Sequence, residues 1–569
     1  MSTVLMLFII LLPMAAGGLV RKIPFPARHF RLFFTEGAVL FSSALTWGLA
    51  TGRLNSGEAA IYLAGNLTFS LESEKWGLLY AILIGFLWVV SIPCLLLQEA
   101  KQEKEADFLA HYLFLYGGAM GMALSGNFTT AFLFFEVMCI AGGAIQCEGL
   151  SREQKRKDRK WFFFSGTGTL LGVVAAVGIR LYGAATEFQM GGILDPELAV
   201  EHKWVLLGLF FFAGVSILIK TVAGPWHCFL QRRENVPKVW AALPYETIQT
   251  AVLFLMLRLS YETFGTEILE GSWAQRTIFF LCAVGAVLFG IFSVGEKEWK
   301  KRLIFVSLGN LCCSIFGIML LSGLGFVGGT MCMLFHGILF TCAFFNAGIA
   351  ASLTGKTKVD EMDGVGKQIP WVFACFTITA LSIMGLPGLT GFLGKWYLGV
   401  AAVYREDLAG SLEIALLFMN GILAVVSLLQ PVLRGYFPIE ESEKPTNIDS
   451  RDNQENESNR EKKNNGETAL QTENQTPDTQ EDTPLGREEL AALAAMGFQG
   501  LEEAAGLVEE QNGAEKGLSE QSTEYSERMQ KFPVYLTRTV MVIYILTMIL
   551  LGVLGRPLAS YIAKITGLQ

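Results

Sequence analysis

Five ionisable residues stand where a charge is costly: Glu136, Lys220, Glu246, His336 and Lys395 each interrupt an apolar run. A charge at the middle of a bilayer costs about 3 kcal/mol even on lenient insertion scales. Each side chain therefore needs a partner or a water-filled path. A buried Glu136/Lys220 pair keeps both members charged, and a proton arriving nearby shifts the balance between them. His336, in MCMLFHGILFTCAFFNAG, is suited to relay, because a neutral imidazole passes a proton between two waters near physiological pH. Glu246, with Tyr245, Gln249 and Thr250 beside it, offers either another relay step or a residue at the cytoplasmic end of its helix, and His227 is placed to cap a broken helix or gate water entry.

The elements that must carry these residues are membrane helices. With 52% apolar, 12% aromatic and only 17% charged residues in 569, the chain is too apolar for a soluble protein of its size. The net charge of -8 resides mostly in one polar segment near the C-terminus and says nothing about the apolar part. Apolar runs long enough to span a bilayer fall near 3–20, 31–50, 76–97, 108–125, 128–147, 161–182, 204–230, 239–261, 276–295, 302–323, 326–352, 369–404, 411–436 and 534–556. They predict an all-α membrane protein of about fourteen transmembrane helices. The first run is followed by Arg21 and Lys22 and lacks a clear cleavage site, so it is expected to be a retained helix.

Two of the runs are interrupted. The seventh carries Lys220 and then Gly224-Pro225; the twelfth breaks at Gly385-Leu386-Pro387-Gly388 with Lys395 on its continuation. Proline removes a backbone donor, so the freed carbonyls must face protein or water. Broken helices at corresponding positions of two halves point to an ion site and to an inverted repeat, the fourth to eighth spans matching the ninth to thirteenth. The expected organisation is 1–107 for the first three helices, 108–261 and 276–436 for the two repeat halves, 437–533 for an acidic loop, and 534–569 for the last helix and C-terminus.

Lys and Arg cluster after odd-numbered spans, as in Arg152 to Lys160 and Lys297 to Arg302, and are scarce after even-numbered ones. By the positive-inside rule the odd loops are cytoplasmic and both termini lie outside, which suits a multi-pass protein of a prokaryotic plasma membrane. The loop from about 440 to 531 is rich in Glu, Asn, Gln, Ser, Thr and Lys and reads as disordered, except for one or two short amphipathic helices over 485–512. The ten cysteines show no CxxC or iron-sulfur spacing, so no metal or redox cofactor is expected of this chain. No nucleic-acid patch stands out, since the basic loops follow from topology; the lipid bilayer is the expected surroundings.

The segments GNFTTAFLFFEVMCIAGGA, FFFAGVSILIKTVAGPWHCFLQ with VPKVWAAL, KKRLIFVSLGNL, MLFHGILF and GLPGLTGFLGKWYL, in that order, resemble the antiporter-like proton-pumping subunits of respiratory complex I. Subunits of membrane-bound hydrogenases and of multisubunit sodium/proton antiporters belong to the same family. The resemblance covers roughly 60–436 and implies fourteen helices, two inverted five-helix repeats, a central polar chain linked by water, and no redox centre within the subunit. It implies as partners further antiporter-like membrane subunits and a redox peripheral arm. By position it makes Glu136 and Lys220 the Glu/Lys pair, His336 the eleventh-span histidine and Lys395 the exit-side lysine. The chain departs from many members at Thr250 and Phe340, where they carry lysines. Three functions are therefore expected in order: a proton-translocating, non-redox subunit of a complex I-like or hydrogenase-like assembly, a sodium/proton antiporter subunit, or a non-pumping scaffold.

Overall fold

The computed structural model describes residues 2–55, 57–62, 68–91, 102–147, 159–222, 242–438 and 537–567. The Gly224-Pro225 break, His227 and the expected helical segment 485–512 lie outside the described residues. Within lipid, backbone N–H and C=O groups find partners only inside a helix or a closed barrel, and the apolar runs accordingly fold as helices. These are α1 (Ser2–Lys22), α2 (Arg28–Ala50), α3 (Lys75–Ser91), α4 (Gln102–Ala123), α5 (Phe128–Cys147), α6 (Arg159–Tyr182), α7 (Lys203–Val222) and α8 (Ala242–Leu257). The series continues with α9 (Trp273–Gly295), α10 (Trp299–Ile318), α11 (Gly323–Thr354), α12 (Pro370–Met384), α13 (Thr390–Arg405) and α14 (Leu408–Tyr436). It closes with α15 (Thr537–Val553) and α16 (Gly555–Thr566). Among the described residues, nine helices are long and apolar enough to cross a membrane, or ten if α15 and α16 count as one span.

Helix ends follow local chemistry. Ser272 and Ser322 cap α9 and α11 by accepting from the N–H groups of Gln275 and Gly325, and Asp407 caps α14 through Gly410. α11 stops at Gly355, which takes the left-handed conformation that glycine reaches without strain. α11 is also the centre of the bundle: every residue from Gly325 to Ala351 is buried. α3, α8, α10, α12, α13 and α16 pack around it, whereas α6 and α9 turn large apolar side chains such as Leu170 and Phe280 outward.

Two features correct the expected architecture. The chain is not purely α-helical, because β1 (Glu58–Tyr62) and β2 (Thr68–Glu72) form an antiparallel hairpin with Ala60 opposite Ser70. Five-residue alternating strands are invisible to a search for spans of bilayer length. The hairpin lies over the start of α5: Gly126 N–H donates to Ser70 O at 2.9 Å, and Glu72 N–H to Leu124 O at 2.8 Å. The last run also does not simply end near 556, since α16 leaves α15 at 73°. Its sequence, GRPLASYIAKIT, is amphipathic, and Ala559 and Ile562 form its buried side.

Just outside the spans, Arg258 gathers a buried cluster at the end of α8, where the helix widens into a π-helical turn over Arg258–Thr263. The guanidinium donates to Glu74 at 2.6 Å and pairs with Glu262, with the rings of Trp76 and Phe188 at 4.8 and 4.5 Å. An arginine 1% exposed needs such a cage, because an unpaired buried charge costs several kcal/mol.

Candidate functional site

Glu136 sits on α5 and Lys220 near the end of α7, and the structure brings them together: Lys220 Nζ lies 2.8 Å from Glu136 Oε2. Lys220 is 2% exposed, so the pair is removed from solvent. Thr169 of α6 completes it, its hydroxyl donating to the same Glu136 oxygen at 3.0 Å and accepting from Lys220 at 2.9 Å. Close approach of α6 and α7 makes this possible, and Ser216 Oγ donates to Gly168 O at 2.6 Å one residue away. Among the described residues Glu136 Oε1 has no hydrogen-bond partner, so one half of the carboxylate is open to accept a proton.

A second pair lies between α8 and α11. Glu246 Oε2 is 3.3 Å from His336 Nε2, and both side chains are buried. The link is again a hydroxyl: Ser307 of α10 is 3.2 Å from both Glu246 Oε1 and His336 Nε2. Glu246 is thus an interior residue, not a helix-end one. Tyr245 and Gln249 are buried on α8 next to it; the Tyr245 hydroxyl lies beside Ser307 and Gln249, and among the described residues neither that hydroxyl nor the Gln249 amide has a well-formed hydrogen bond. Thr250 donates to Thr247 O at 2.9 Å and turns its methyl toward Gly337 of α11. Phe340, one turn after His336, packs on the imidazole with ring centres 4.6 Å apart.

Lys395 is held differently. Between α12 and α13 the chain turns at Gly385, whose φ of 96° is open to glycine, and Pro387 follows. A continued helix would have residue 387 donate to the carbonyl of Ile383; proline has no N–H, so that carbonyl is freed. Lys395 Nζ takes it at 2.9 Å. The lysine and His336 line one internal cavity of about 40 Å³, together with Asn310, Ser314, Cys332 and Asn420. That is room for about three waters at roughly 10–15 Å³ each, with polar partners on several sides.

The five ionisable residues thus form two hydroxyl-bridged pairs and one lysine, the second pair and the lysine sharing a cavity. His227 lies outside the described residues. Sequence reasoning did not single out Thr169, Ser307, Asn310, Asn420 or Glu413. Hydroxyls and amides inside helices are common and inexpensive, so nothing in the sequence marks the bridging ones.

The profile of the NADH:quinone oxidoreductase/Mrp antiporter transmembrane family matches residues 125–418, more than half of the chain, and takes in all five residues. The chain belongs to this family. Its relatives include the NAD(P)H-quinone oxidoreductase chain 4-2 of Synechocystis sp., 24% identical over 58% of this chain and 57% of that one. They also include a Na(+)/H(+) antiporter subunit of Alkalihalophilus pseudofirmus, 26% identical over 56% of this chain and 64% of that one. The matches therefore span less than two thirds of either relative's length. A chain of respiratory complex I from Thermus thermophilus superposes with a TM-score of 0.62 at 20% identity, covering 76% of this chain and 89% of that one, which shows a shared fold. This family member is a multi-pass, antiporter-like membrane protein, and the matched residues run from the start of α5 into α14.

Proposed function

We propose that the chain is a proton-translocating, non-redox membrane subunit of a complex I-like or energy-converting hydrogenase-like assembly. It crosses the plasma membrane of a prokaryote fourteen times, with both termini outside, as two inverted repeats over 108–261 and 276–436. Its partners are further antiporter-like membrane subunits and a peripheral arm that performs the redox chemistry.

The observation that carries this reading is the arrangement of buried charge: Glu136 with Lys220, Glu246 with His336, then a cavity joining His336 to Lys395. Each pair has one protonatable member poised against another across a hydroxyl. A conformational or charge change in a neighbouring subunit that loosens Lys220 from Glu136 alters the field felt by Glu246, and in a low-dielectric interior that field acts at longer range than in water. A proton on Glu246 passes to His336 by way of Ser307; His336 passes it through the cavity to Lys395. Lys395 faces a helix-terminal carbonyl instead of a carboxylate, so it releases the proton without breaking an ion pair. Thr250 and Phe340 leave α8 and α11 without a lysine, and water around Gln249 and Tyr245 bridges the gap from Lys220 to Glu246.

The similarity to one component of an Na(+)/H(+) antiporter supports a second reading, a subunit of a multisubunit antiporter with no redox partner. Ion uptake into vesicles carrying the purified complex separates the readings. With redox substrate alone, the first expects a pH gradient that Lys220→Ala and Lys395→Ala abolish while the complex still assembles. A gradient that forms only against an imposed sodium gradient favours the antiporter, and no effect of either substitution under both conditions rejects translocation by this subunit.

A further inference from the structure

The most isolated charge-bearing side chain in the bundle plays no part in the path just described. Glu413, in the second turn of α14, is fully buried, and neither carboxylate oxygen has a hydrogen-bond partner among the described residues. Apolar packing could fill this place at no cost, whereas an unsatisfied carboxyl group pays about 1–3 kcal/mol for its desolvation. A buried acid retained in a membrane helix points to a function by default.

Its position relative to the cavity is defined by three helices. On α14, Leu417 and Asn420 line the cavity that holds Lys395, and Glu413 lies one turn before Leu417 on the same face. On α13, Leu398 also lines the cavity, one turn beyond Lys395. On α10, Gly317 is where the two meet: a Cβ built there would sit 2.7 Å from both Leu398 methyl carbons and 2.9 Å from Glu413 Oε1. The absent side chain of Gly317 makes the room in which the carboxyl and the Leu398 methyls lie side by side. Leu398 thus stands between the water-sized cavity and the carboxyl.

The carboxyl also lies toward the end of α13 and the start of α14, which the topology proposed above directs outward. There Arg405 donates to Asp407 at 2.8 Å, reaches Glu270 at 3.4 Å and caps the free carbonyl of Leu320. These charged residues are exposed or half-buried and mark the polar margin of the bundle.

From this geometry we propose that Glu413 is the next proton acceptor after Lys395 and that Leu398 is the apolar gate between them. The proposal rests on the translocation reading above and extends it by one residue and one gate. When Leu398 swings aside, the Lys395 ammonium loses an N–H proton through a cavity water and the Glu413 carboxylate gains it as O–H. A cation and an anion become two neutral groups, so the transfer leaves no unpaired charge behind the closing gate. Glu413 then releases the proton to water at the Arg405 margin, and its carboxylate is ready again. The gate keeps Lys395 from filling with protons from the outside.

The test uses the purified complex in sealed vesicles, energised by its own driving reaction or an imposed sodium gradient, with a pH-sensitive dye as the readout. Glu413→Gln keeps the shape of the side chain and removes the exchangeable proton. It is expected to cut translocation about a hundredfold, as loss of a positioned proton carrier does, while the complex assembles and Glu413→Asp restores part of the rate. A protonated-carboxyl C=O band in the infrared difference spectrum between energised and resting complex should vanish in Glu413→Gln, which a purely packing residue would not cause. Native translocation in Glu413→Gln, with Lys220→Ala inactive, overturns the role of Glu413 and leaves the translocation reading intact. Native translocation in both variants overturns both.

Discussion

Lys220, buried, and Lys395, half-buried, are held in opposite ways. Lys220 meets a carboxylate and a hydroxyl, Glu136 and Thr169, so its charge is neutralised where it stands. Among the described residues, Lys395 hydrogen-bonds to the carbonyl that Pro387 leaves free, beside a cavity with room for water. A full counter-charge makes the first lysine a lock whose opening costs an ion pair. In the path proposed above, a single dipole makes the second a way station, easily loaded and easily emptied. The same residue type, placed near a Gly/Pro pair in both halves of the sequence, therefore has a different electrostatic setting according to whether an acid faces it.

This contrast breaks most visibly in stability. Lys220→Met leaves Glu136 buried without its partner and is expected to cost about 3–5 kcal/mol, whereas Lys395→Met removes one neutral contact and should cost only about 1 kcal/mol. Thermal unfolding of the detergent-solubilised complex checks it, with Glu136→Gln on the Lys220→Met background expected to regain most of the loss. Equal losses for the two lysines would erase the distinction.

A smaller effect sharpens the roles of the bridging hydroxyls. Thr169→Val removes two hydrogen bonds from the Glu136/Lys220 pair, and Ser307→Ala removes the link between Glu246 and His336. Each is expected to slow translocation about thirtyfold, the equivalent of about 1 kcal/mol for each of two lost hydrogen bonds, with Thr169→Val also lowering the melting temperature. If Ser307→Ala translocates at the native rate, the Glu246/His336 pair does not pass protons through that hydroxyl.

The smallest effect lies at the margins of the bundle, where the contrast recurs with carboxylates. Burial pushes Glu72 up to about 7, with Glu74 and Glu187 adding to it. Burial also pulls Asp407 upward, but the Gly410 N–H and Arg405 outweigh it and hold the group below its ordinary 3.8. The two therefore respond oppositely to pH. Because the folded value of Glu72 lies above 4.5, its contribution is fully present below that pH and lost as pH rises through about 7. The contribution of Asp407 is present above 3.8 and lost as pH falls below it. At pH 8, Glu72→Gln is expected to protect the hairpin amides in hydrogen exchange by of order 1 kcal/mol, a figure reduced for a half-exposed group. The first turn of α14 should open on acidification instead.

Much of this was legible before any coordinates. A glutamate and a lysine each flanked by two turns of apolar sequence announce a pair, and Gly-Leu-Pro-Gly announces the break that frees the Ile383 carbonyl. What stayed hidden depends on contacts between segments distant in the chain. Thr169 is one hydroxyl among many in α6 until α5 and α7 close on it. Glu246 sits near the start of α8, where position alone fits a helix end; only α10 and α11 reveal it as central. Glu413 likewise stands at the start of its apolar run and reads as a boundary. The hairpin escaped because its strands are too short to carry a membrane signal, and α16 because Gly552, Gly555 and Pro557, which mark its turn away from α15, stand at the end of an apolar run where they read as its end.

The last helices have a further meaning in time. α15 passes Gly388 and Leu389 at the break, and Tyr544 lies 2.7 Å from the Ser91 hydroxyl, while α16 packs on α3 and α11. About a hundred residues separate α14 from α15. At a synthesis rate of about 5–20 residues per second, the rest of the bundle waits roughly 5–20 seconds with this flank facing lipid. The broken helix that carries Lys395 is thus the last part of the path to be walled in. Biogenesis of the protein ends by closing a seam, and the length of the intervening segment sets how long that seam stands open to lipid or to an assembling neighbour.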